Sequence, residues 1–161
     1  MSCLKKCADL ADAYFVIAGS GTDRHFLEEY IAEEKPSHVK LFGQIPKNEY
    51  DKMIACCDVG LIFLDHRFTI PNFPSRLLSY MQAGLPVLAC TDPNTDVGKV
   101  ITEGGFGWWC ESEKADDFLN CILEAIRNMP IDKSMIHKFD LEHYSAEKAY
   151  EIIVSSVWKT E

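Results

Sequence analysis

The chain of 161 residues lacks the features that nucleic-acid-binding and membrane-spanning proteins need. Its 25 acidic residues outnumber the 16 basic ones, and no segment gathers lysine and arginine into a basic stripe. The apolar runs at 14–18 and 59–64 are far shorter than the roughly 20 residues of a transmembrane helix, and no signal peptide opens the sequence. We therefore expect a soluble, cytoplasmic chain without a nucleic-acid partner.

The sequence also lacks the spacings of common metal and nucleophile sites. Its seven cysteines form an odd set without a Cys-x-x-Cys pair, and most occupy apolar positions, so we expect reduced cytosolic thiols. No histidine pair with metal-ligand spacing and no Ser-His-Asp arrangement can be picked out. We expect no metal and no other cofactor, and we assign no catalytic residue. His137 and His143 are expected at the surface of a polar connection.

Strand and helix patterns alternate along the chain. Short apolar strands are predicted at 14–18, 39–42, 59–64, 86–90 and 106–110, with helical periodicity between and around them. The runs 59–64 and 86–90 are apolar throughout, which predicts strands that lie near the sheet centre and are buried on both faces. The pattern favours a doubly wound α/β fold, a mostly parallel sheet with helices on both faces, in a single domain over 1–161.

A helix is predicted at the start of the chain, where Cys3, Leu4, Cys7, Ala8 and Ala11 share one face. No strand precedes it. Doubly wound folds usually begin with a strand and use the loop after it for ligand contact. We therefore expect the chain to be part of a longer protein.

Candidate binding residues follow the first two strands, at the usual ligand edge of an open α/β sheet. Gly19 and Gly21 precede a helix, so their amides could meet a phosphate, although a simple tight turn explains them equally well. The third glycine of a dinucleotide fingerprint would fall at Arg24, which speaks against an NAD site. Gln44 and Ile45 offer backbone groups and one amide, which suit a flat base, although taken alone they indicate only a turn.

Charged and helix-starting residues come next along the chain. Arg67 could pair with a phosphate, and His66 could donate to a phosphate or a sugar hydroxyl. The alternative is that both are surface residues of a solvated loop without a binding role. After Pro74, Ser75 is predicted to cap a helix whose first amides point outward, with Arg76 as a charged donor beside them. This combination suits a diphosphate, and an ordinary cap with a surface arginine is the alternative.

Four segments, taken together, resemble the C-terminal, donor-binding half of retaining glycosyltransferases of the GT-B fold, family 4. They run in order through the chain: FVIAGSG at 15–21, LFGQIP at 41–46, ACCDVGL at 55–61 and YMQAGLPVLA at 80–89. The sequence PSRLLSYM at 74–81 is most similar to bacterial capsule and O-antigen enzymes. The resemblance implies a Rossmann-like half of a two-domain hexosyltransferase that transfers a sugar from a nucleotide diphosphate to a lipid-linked or glycan acceptor.

The resemblance also assigns residues and partners. Gln44, Ile45 and Lys47 would border the base, while the amides of Ser75 and Arg76 would meet the diphosphate. The nucleotide sugar is the substrate, and the acceptor would be reached through an N-terminal domain that the chain does not contain. The isolated chain should therefore be inactive, and the longer protein would lie in the cytoplasm or at the inner membrane, which it would touch only indirectly.

The chain departs from the family at two positions. The family usually carries two glutamates eight residues apart, near the donor sugar and at the ribose; here those positions hold Pro71 and Ser79. A carboxylate accepts two hydrogen bonds from a ribose diol, whereas a serine hydroxyl offers one weaker contact. A non-catalytic or regulatory relative is therefore an alternative function, and a sugar-nucleotide epimerase of the same architecture is a third.

Overall fold

A computed structural model describes residues 2–7, 10, 12–68, 70 and 72–158. Five strands run through these residues: β1 (Phe15–Ala18), β2 (Val39–Phe42), β3 (Gly60–Phe63), β4 (Val87–Thr91) and β5 (Gly107–Glu111). Eight helices accompany them: α1 (Ser2–Lys6), α2 (Arg24–Glu34), α3 (Lys47–Ala55), α4 (Ser75–Gln82), α5 (Val97–Glu103), α6 (Ala115–Asn128), α7 (Lys133–Tyr144) and α8 (Ala146–Trp158). The five predicted strands are confirmed. The first helix is confirmed over α1, and Ala8 and Ala11 of its predicted stripe lie outside the described residues.

All strand pairs are parallel, and they form two sheets. β1 pairs with β2, with Phe15 opposite Val39 and Ala18 opposite Phe42. In the second sheet β4 lies between β3 and β5. The predicted α/β class, with parallel strands flanked by helices, is confirmed. One difference from the prediction is that no ladder joins β1 to β3 in the part of the chain that the structure describes.

Helices cover both faces of the strands. One face packs against α1, α2 and α6 in a core of buried residues: Leu4, Cys7, Phe15, Tyr30, Val39, Leu88, Cys90, Trp108, Phe118, Cys121, Ile122 and Ala125. The other face packs against α3, α4, α5 and α7 in a second core: Ile54, Ile62, Leu77, Tyr80, Met81, Leu85, Val87, Ala89, Val97, Ile101, Phe106 and Ile136. Alternate residues of β4 enter opposite cores, as the two-residue repeat of a strand requires. Each fully buried aliphatic side chain contributes roughly 1.5–3 kcal/mol to folding.

The two strands that were predicted to be buried on both faces differ. β4 is buried at all five of its positions and occupies the centre of its sheet, as expected. The prediction is wrong for β3, whose Phe63 is 45% exposed. The physical reason is that β3 lies at the edge of its three-stranded sheet, where one side has no neighbouring strand.

The polar connection predicted around His137 and His143 is wrong, because both residues lie on α7. Asp132 caps this helix by accepting a hydrogen bond from the Ser134 amide at 2.9 Å. Ile136 anchors the helix in the second core, where Phe139 and Tyr144 pack against it. The helical period is weak in the sequence because Met135 and Leu141 are apolar but exposed, and Asp140 is polar but buried. Both histidines are exposed, as expected.

The C-terminal helix α8 has no buried residue among those that the structure describes. Tyr150 and Trp158 are 69% and 80% exposed. Across the described ranges, no helix is both long and apolar enough to cross a membrane.

All seven cysteines are described, and all are free thiols. Cys7, Cys90 and Cys121 are buried in the first core. Burial raises the pKa of the Cys7 thiol to about 11. Core positions of this kind hold cysteine as a small apolar residue.

Candidate functional site

The predicted site residues follow the carboxyl ends of three strands and the start of one helix. Gly19 and Gly21 follow β1, Gln44 and Ile45 follow β2, and His66 and Arg67 follow β3, while Ser75 and Arg76 open α4. Carboxyl ends of parallel strands meet at one edge of a sheet, where open α/β folds bind ligands. Pro71 lies outside the described residues.

Arg24 connects the loops after β1 and β2. Its Nη1 donates to the carbonyl oxygens of Gly19 and Phe42, each at 2.6 Å, and its Nε donates to Glu28 at 2.7 Å. The Gly19 amide donates to the Gly43 carbonyl at 3.2 Å, with Gly19 at a φ of 151° that favours glycine. Sequence reasoning missed this role, because Arg24 was considered only as the residue in place of a fingerprint glycine. The signal in the sequence that could have indicated this role is a cationic residue in the first turn of a helix that follows a strand.

The loop after β2 leads directly into α3. Gln44 is exposed, and no hydrogen bond joins its side chain to another described residue. Ile45 is half-buried, and Pro46 occupies the N-cap position of α3. The Lys47 ammonium pairs with the Asp51 carboxylate, at 2.9 Å from Oδ2. An aromatic base placed here would meet the amide of Gln44 and an ammonium whose charge is shared with one carboxylate.

Arg67 is paired within its own loop. Its Nε donates to Asp65 Oδ1 at 2.9 Å and its Nη2 to Asp65 Oδ2 at 2.6 Å, while the Arg67 amide also donates to Oδ1. These hydrogen bonds hold the pKa of the Asp65 carboxyl well below its usual range. His66 is exposed, with Nδ1 3.7 Å from the same carboxylate. To pair with a phosphate, the Arg67 guanidinium must therefore give up its hydrogen bonds to Asp65 or bind the carboxylate and the phosphate together.

The start of α4 differs from the prediction. The N-cap residue is Pro74, and no side chain caps the helix, so the predicted cap by the Ser75 hydroxyl is wrong. The Leu77 amide, which was expected to point outward, donates to the Pro74 carbonyl at 2.9 Å. Among the described residues, nothing accepts a hydrogen bond from the amides of Ser75 and Arg76. Two free donors and the positive end of the helix dipole remain at this terminus.

The rest of α4 fixes this terminus in place. Leu77 and Met81 are fully buried in the second core, so the helix cannot shift without opening that core. Arg76 is exposed, and Ser79 is half-buried. Ser75 and Ser79 are four residues apart and therefore share one face of the helix.

The sequence did not predict the buried polar network at the end of β4. The Asp92 carboxylate is 1% exposed and accepts hydrogen bonds from the Asn94 amide, the Thr95 amide and the Thr95 hydroxyl, the last at 2.7 Å. The Trp109 indole donates to the Thr91 hydroxyl at 2.9 Å, which in turn donates to the Asp92 carbonyl. The signal in the sequence that could have indicated this network is an Asp three residues before a Thr, a pattern typical of turns in which the Asp side chain accepts backbone hydrogen bonds. The network fixes the loop beside the candidate edge.

Thr95→Val is expected to lower the free energy of unfolding by about 1–2 kcal/mol at pH 7, because it removes a hydroxyl from a buried carboxylate. That hydroxyl is the main reason why the pKa of Asp92 lies below its ordinary value of 3.8. A lowered pKa stabilises the fold above the ordinary value, and this stability is lost as pH falls through the folded pKa. Urea denaturation at pH 7 and pH 3 should show the difference between variant and parent narrowing at the lower pH. The matched control is Thr22→Val, an exposed position, and an equal difference at both pH values would contradict the assignment to Asp92.

Two further observations concern the surroundings of the site. In the described ranges, no group of three or more His, Cys, Asp or Glu side chains is placed to hold a metal ion. A shallow depression of about 330 Å³ lies at the opposite, amino-terminal end of β2, lined by Lys5, Tyr30, Glu34, Pro36, Ser37 and His38. The candidate site lies at the other end of the strands from that depression.

Comparison with known proteins identifies relatives of this chain. Probable glycosyltransferase WbjE from Pseudomonas aeruginosa is 25% identical over 143 residues, which cover 84% of this chain and 35% of the relative. The pneumococcal O-GlcNAc transferase GtfA, solved with UDP and GlcNAc, matches 98% of this chain with a TM-score of 0.68 at 18% identity. HepE (Alr3699) from Anabaena, solved with UDP, matches 98% of this chain with a TM-score of 0.69 at 16% identity.

The matched part is a fraction of each relative. This chain covers 31% of the GtfA chain and 43% of the HepE chain, as well as 35% of WbjE. At these identities the solved structures show the fold, which is that of GT-B glycosyltransferases. The family model for glycosyl transferases group 1 matches residues 2–139, and the chain therefore belongs to this family.

Proposed function

We propose that this chain is the nucleotide-sugar-binding domain of a bacterial retaining glycosyltransferase of family 4. In the longer protein it would serve a hexosyltransferase of the capsule or O-antigen type that transfers a sugar to a lipid-linked or glycan acceptor. Membership of the group 1 family and the GT-B fold support this proposal. The observation that carries it is the start of α4, where two unpaired amides and Arg76 lie together at the ligand edge.

The chemistry of that terminus suits a diphosphate. Anions bind at helix starts because free amides and the helix dipole favour negative charge. The Arg76 guanidinium adds a permanent positive charge beside the amides of Ser75 and Arg76. Negative charge grows on the departing nucleotide diphosphate as the bond to the sugar breaks, so the same donors would also favour transfer.

The other predicted residues take positions around this anion site in the proposal. Gln44, Ile45 and Lys47 border the base at the end of β2. Gly19 and Gly21 contact the donor from the loop after β1, and His66 and Arg67 from the loop after β3. UDP is the first nucleotide to test, because GtfA and HepE were solved with it. No metal or other cofactor is included in the proposal.

We propose that the acceptor binds to another domain of the longer protein. The chain covers 35% of WbjE, which leaves room in a longer protein for an acceptor-binding domain. In the proposal this domain lies N-terminal to the present chain, and transfer takes place in the cleft between the two, in the cytoplasm or at the inner membrane. The chain alone would bind a donor without transferring its sugar.

We expect UDP to shift the backbone amide resonances of Gln44, Ser75 and Arg76 when it is titrated into the ¹⁵N-labelled chain. Pyrophosphate alone should shift the resonances of Ser75 and Arg76, and uridine alone should shift that of Gln44. The reason is that the two halves of UDP contact different loops. The amide of Lys35, at the end of α2 and away from the candidate edge, serves as an internal control.

The same titration distinguishes the second candidate function. A non-catalytic relative is favoured by Ser79 and by Pro71, which stand where the family usually carries carboxylates. If the amide resonances of Gln44, Ser75 and Arg76 do not shift at millimolar UDP or GDP, the donor site is contradicted and the hypothesis of a non-catalytic relative is supported. Binding of UDP together with sugar transfer by the longer protein would contradict the relative.

A further inference from the structure

Five of the seven cysteines lie together in the first core. They are Cys3 and Cys7 at α1, Cys90 on β4, Cys110 on β5 and Cys121 on α6. Cys90 and Cys110 are register partners on neighbouring parallel strands, so their side chains point to the same face of the sheet. α6 packs on that face of β5 and brings Cys121 to the same place. The proposed nucleotide site uses none of these thiols.

Cys110 is the thiol that two of the others contact. The thiols of Cys121 and Cys90 both donate hydrogen bonds to the Cys110 sulfur. These two hydrogen bonds, the one from Cys121 above all, lower the pKa of the Cys110 thiol below its usual value. The same contact raises the pKa of Cys121, which keeps its proton. One thiol of the pair therefore deprotonates easily, and the other remains protonated beside it.

Of these three thiols, Cys110 is also the one that solvent reaches. It is half-buried on a strand at the edge of its sheet in the described part of the chain, whereas Cys90 and Cys121 are 1% and 6% exposed. Cys57 is half-buried too, but its Sγ donates to the Met53 carbonyl at 3.3 Å, and burial raises its pKa. Thiolates react with oxidants and thiols do not, so Cys110 should react ahead of Cys57.

Backbone geometry favours Cys121 over Cys90 as the partner for a covalent bond. Register partners on neighbouring strands hold their Cβ atoms about 4.8 Å apart, whereas a disulfide needs roughly 3.5–4.5 Å. The Cys90 thiol also donates to the Glu111 carbonyl at 3.8 Å, along its own side of the ladder. Cys121 belongs to a helix that packs over the sheet, so the spacing between strands does not limit its approach to Cys110.

We propose that hydrogen peroxide converts Cys110 and Cys121 into a reversible disulfide. The Cys110 thiolate attacks one peroxide oxygen, the O–O bond breaks, and the released hydroxide leaves as water with the proton that Cys110 had lost. The Cys121 sulfur then attacks the sulfenic acid of Cys110, whose hydroxyl leaves with the Cys121 proton as a second water. The two sulfurs together lose two electrons, and the peroxide gains them. The disulfide joins β5 to α6 and does not depend on whether the chain binds a nucleotide.

Tryptic mapping of the oxidised chain tests the proposal without any substitution. Cleavage after lysine and arginine places Cys110 in peptide 100–114, Cys121 in 115–127 and Cys90 in 77–99. The chain is treated with a small molar excess of peroxide, blocked with iodoacetamide, isolated as the monomer and digested without reductant. We expect a disulfide to join peptides 100–114 and 115–127, and dithiothreitol to separate them by thiol exchange. Cys110 should be oxidised at least about tenfold faster than Cys57.

Two variants separate the attacking thiol from its partner. Cys121→Ala should stop at the sulfenic acid of Cys110, which dimedone traps, and no disulfide should form. Cys56→Ala is the matched control, because it removes an exposed thiol at the end of α3, and it should form the disulfide in full.

Three results would overturn the proposal. Peptide 100–114 could stay reduced while the exposed Cys56 is oxidised, which would show that exposure alone decides reactivity. A disulfide between 100–114 and 77–99 would make Cys90 the partner. Equal formation of a disulfide at Cys110 in Cys121→Ala and in Cys56→Ala would exclude Cys121 from the reaction.

Discussion

Gly107→Ala is expected to destabilise the chain by about 3 kcal/mol or more, the largest effect of any single substitution considered for its fold. A Cβ atom on Gly107 would collide with the carbonyl oxygen of Val87, its register partner on β4, and would lie 2.9 Å from Ile101 Cγ2. The Val87 carbonyl belongs to a strand that is buried at every position, so it cannot move aside. Urea denaturation followed by circular dichroism measures the loss.

Gly43→Ala is the matched control. No atom lies within 4 Å of a Cβ built at Gly43, and its backbone is not in the left-handed region. We expect a change of less than about 0.5 kcal/mol, since the alanine meets open space. If Gly107→Ala unfolds at the same urea concentration as the parent, the register between β4 and β5 is wrong.

Ser75→Pro is expected to weaken UDP binding about tenfold while leaving the fold intact. Proline fits the first position of a helix, and Pro74 already has the extended conformation that a following proline requires, with φ −63° and ψ 120°. The substitution deletes one of the two free amides at the start of α4. A hydrogen bond to a charged group contributes roughly 1.5 kcal/mol, which corresponds to the tenfold loss.

Ser75→Ala separates the amide from the hydroxyl. It keeps the backbone donor and removes only a side chain that makes no capping hydrogen bond, so UDP affinity should stay within about twofold of the parent. Isothermal titration calorimetry measures both variants. Equal affinity of Ser75→Pro and the parent would show that the diphosphate does not use this amide. Equal weakening by Ser75→Ala and Ser75→Pro would assign the contact to the hydroxyl, which both variants lack.

The fold was predictable where burial leaves a continuous trace in the sequence. β4 is apolar along its length because helices cover both of its faces, and its predicted position is confirmed. α7 left little trace, because its apolar residues include the exposed Met135 and Leu141 while the polar Asp140 is buried. The exposure of β3 was not predictable, since an apolar run does not reveal whether a strand has a neighbour on each side.

The location of the candidate site was predictable from the sequence, but the hydrogen bonds among its side chains were not. Strand ends and the start of α4 follow from the alternation of strands and helices. The Asp65–Arg67 pair, the Arg24 contacts and the Asp92 network depend on which side chains meet in space. Ser75 was expected to cap α4 because its residue type favours the N-cap, yet Ser75 is the first residue of the helix and Pro74 occupies the N-cap.

The guanidinium of Arg24 makes the loops after β1 and β2 one mechanical unit. By holding the carbonyl oxygens of Gly19 and Phe42 at once, it fixes the spacing between two segments that lie far apart in the chain. A molecule that settles against Gln44 therefore meets a surface that was ordered when the chain folded. The entropy of arranging those loops is lost at folding, so binding does not have to offset it again.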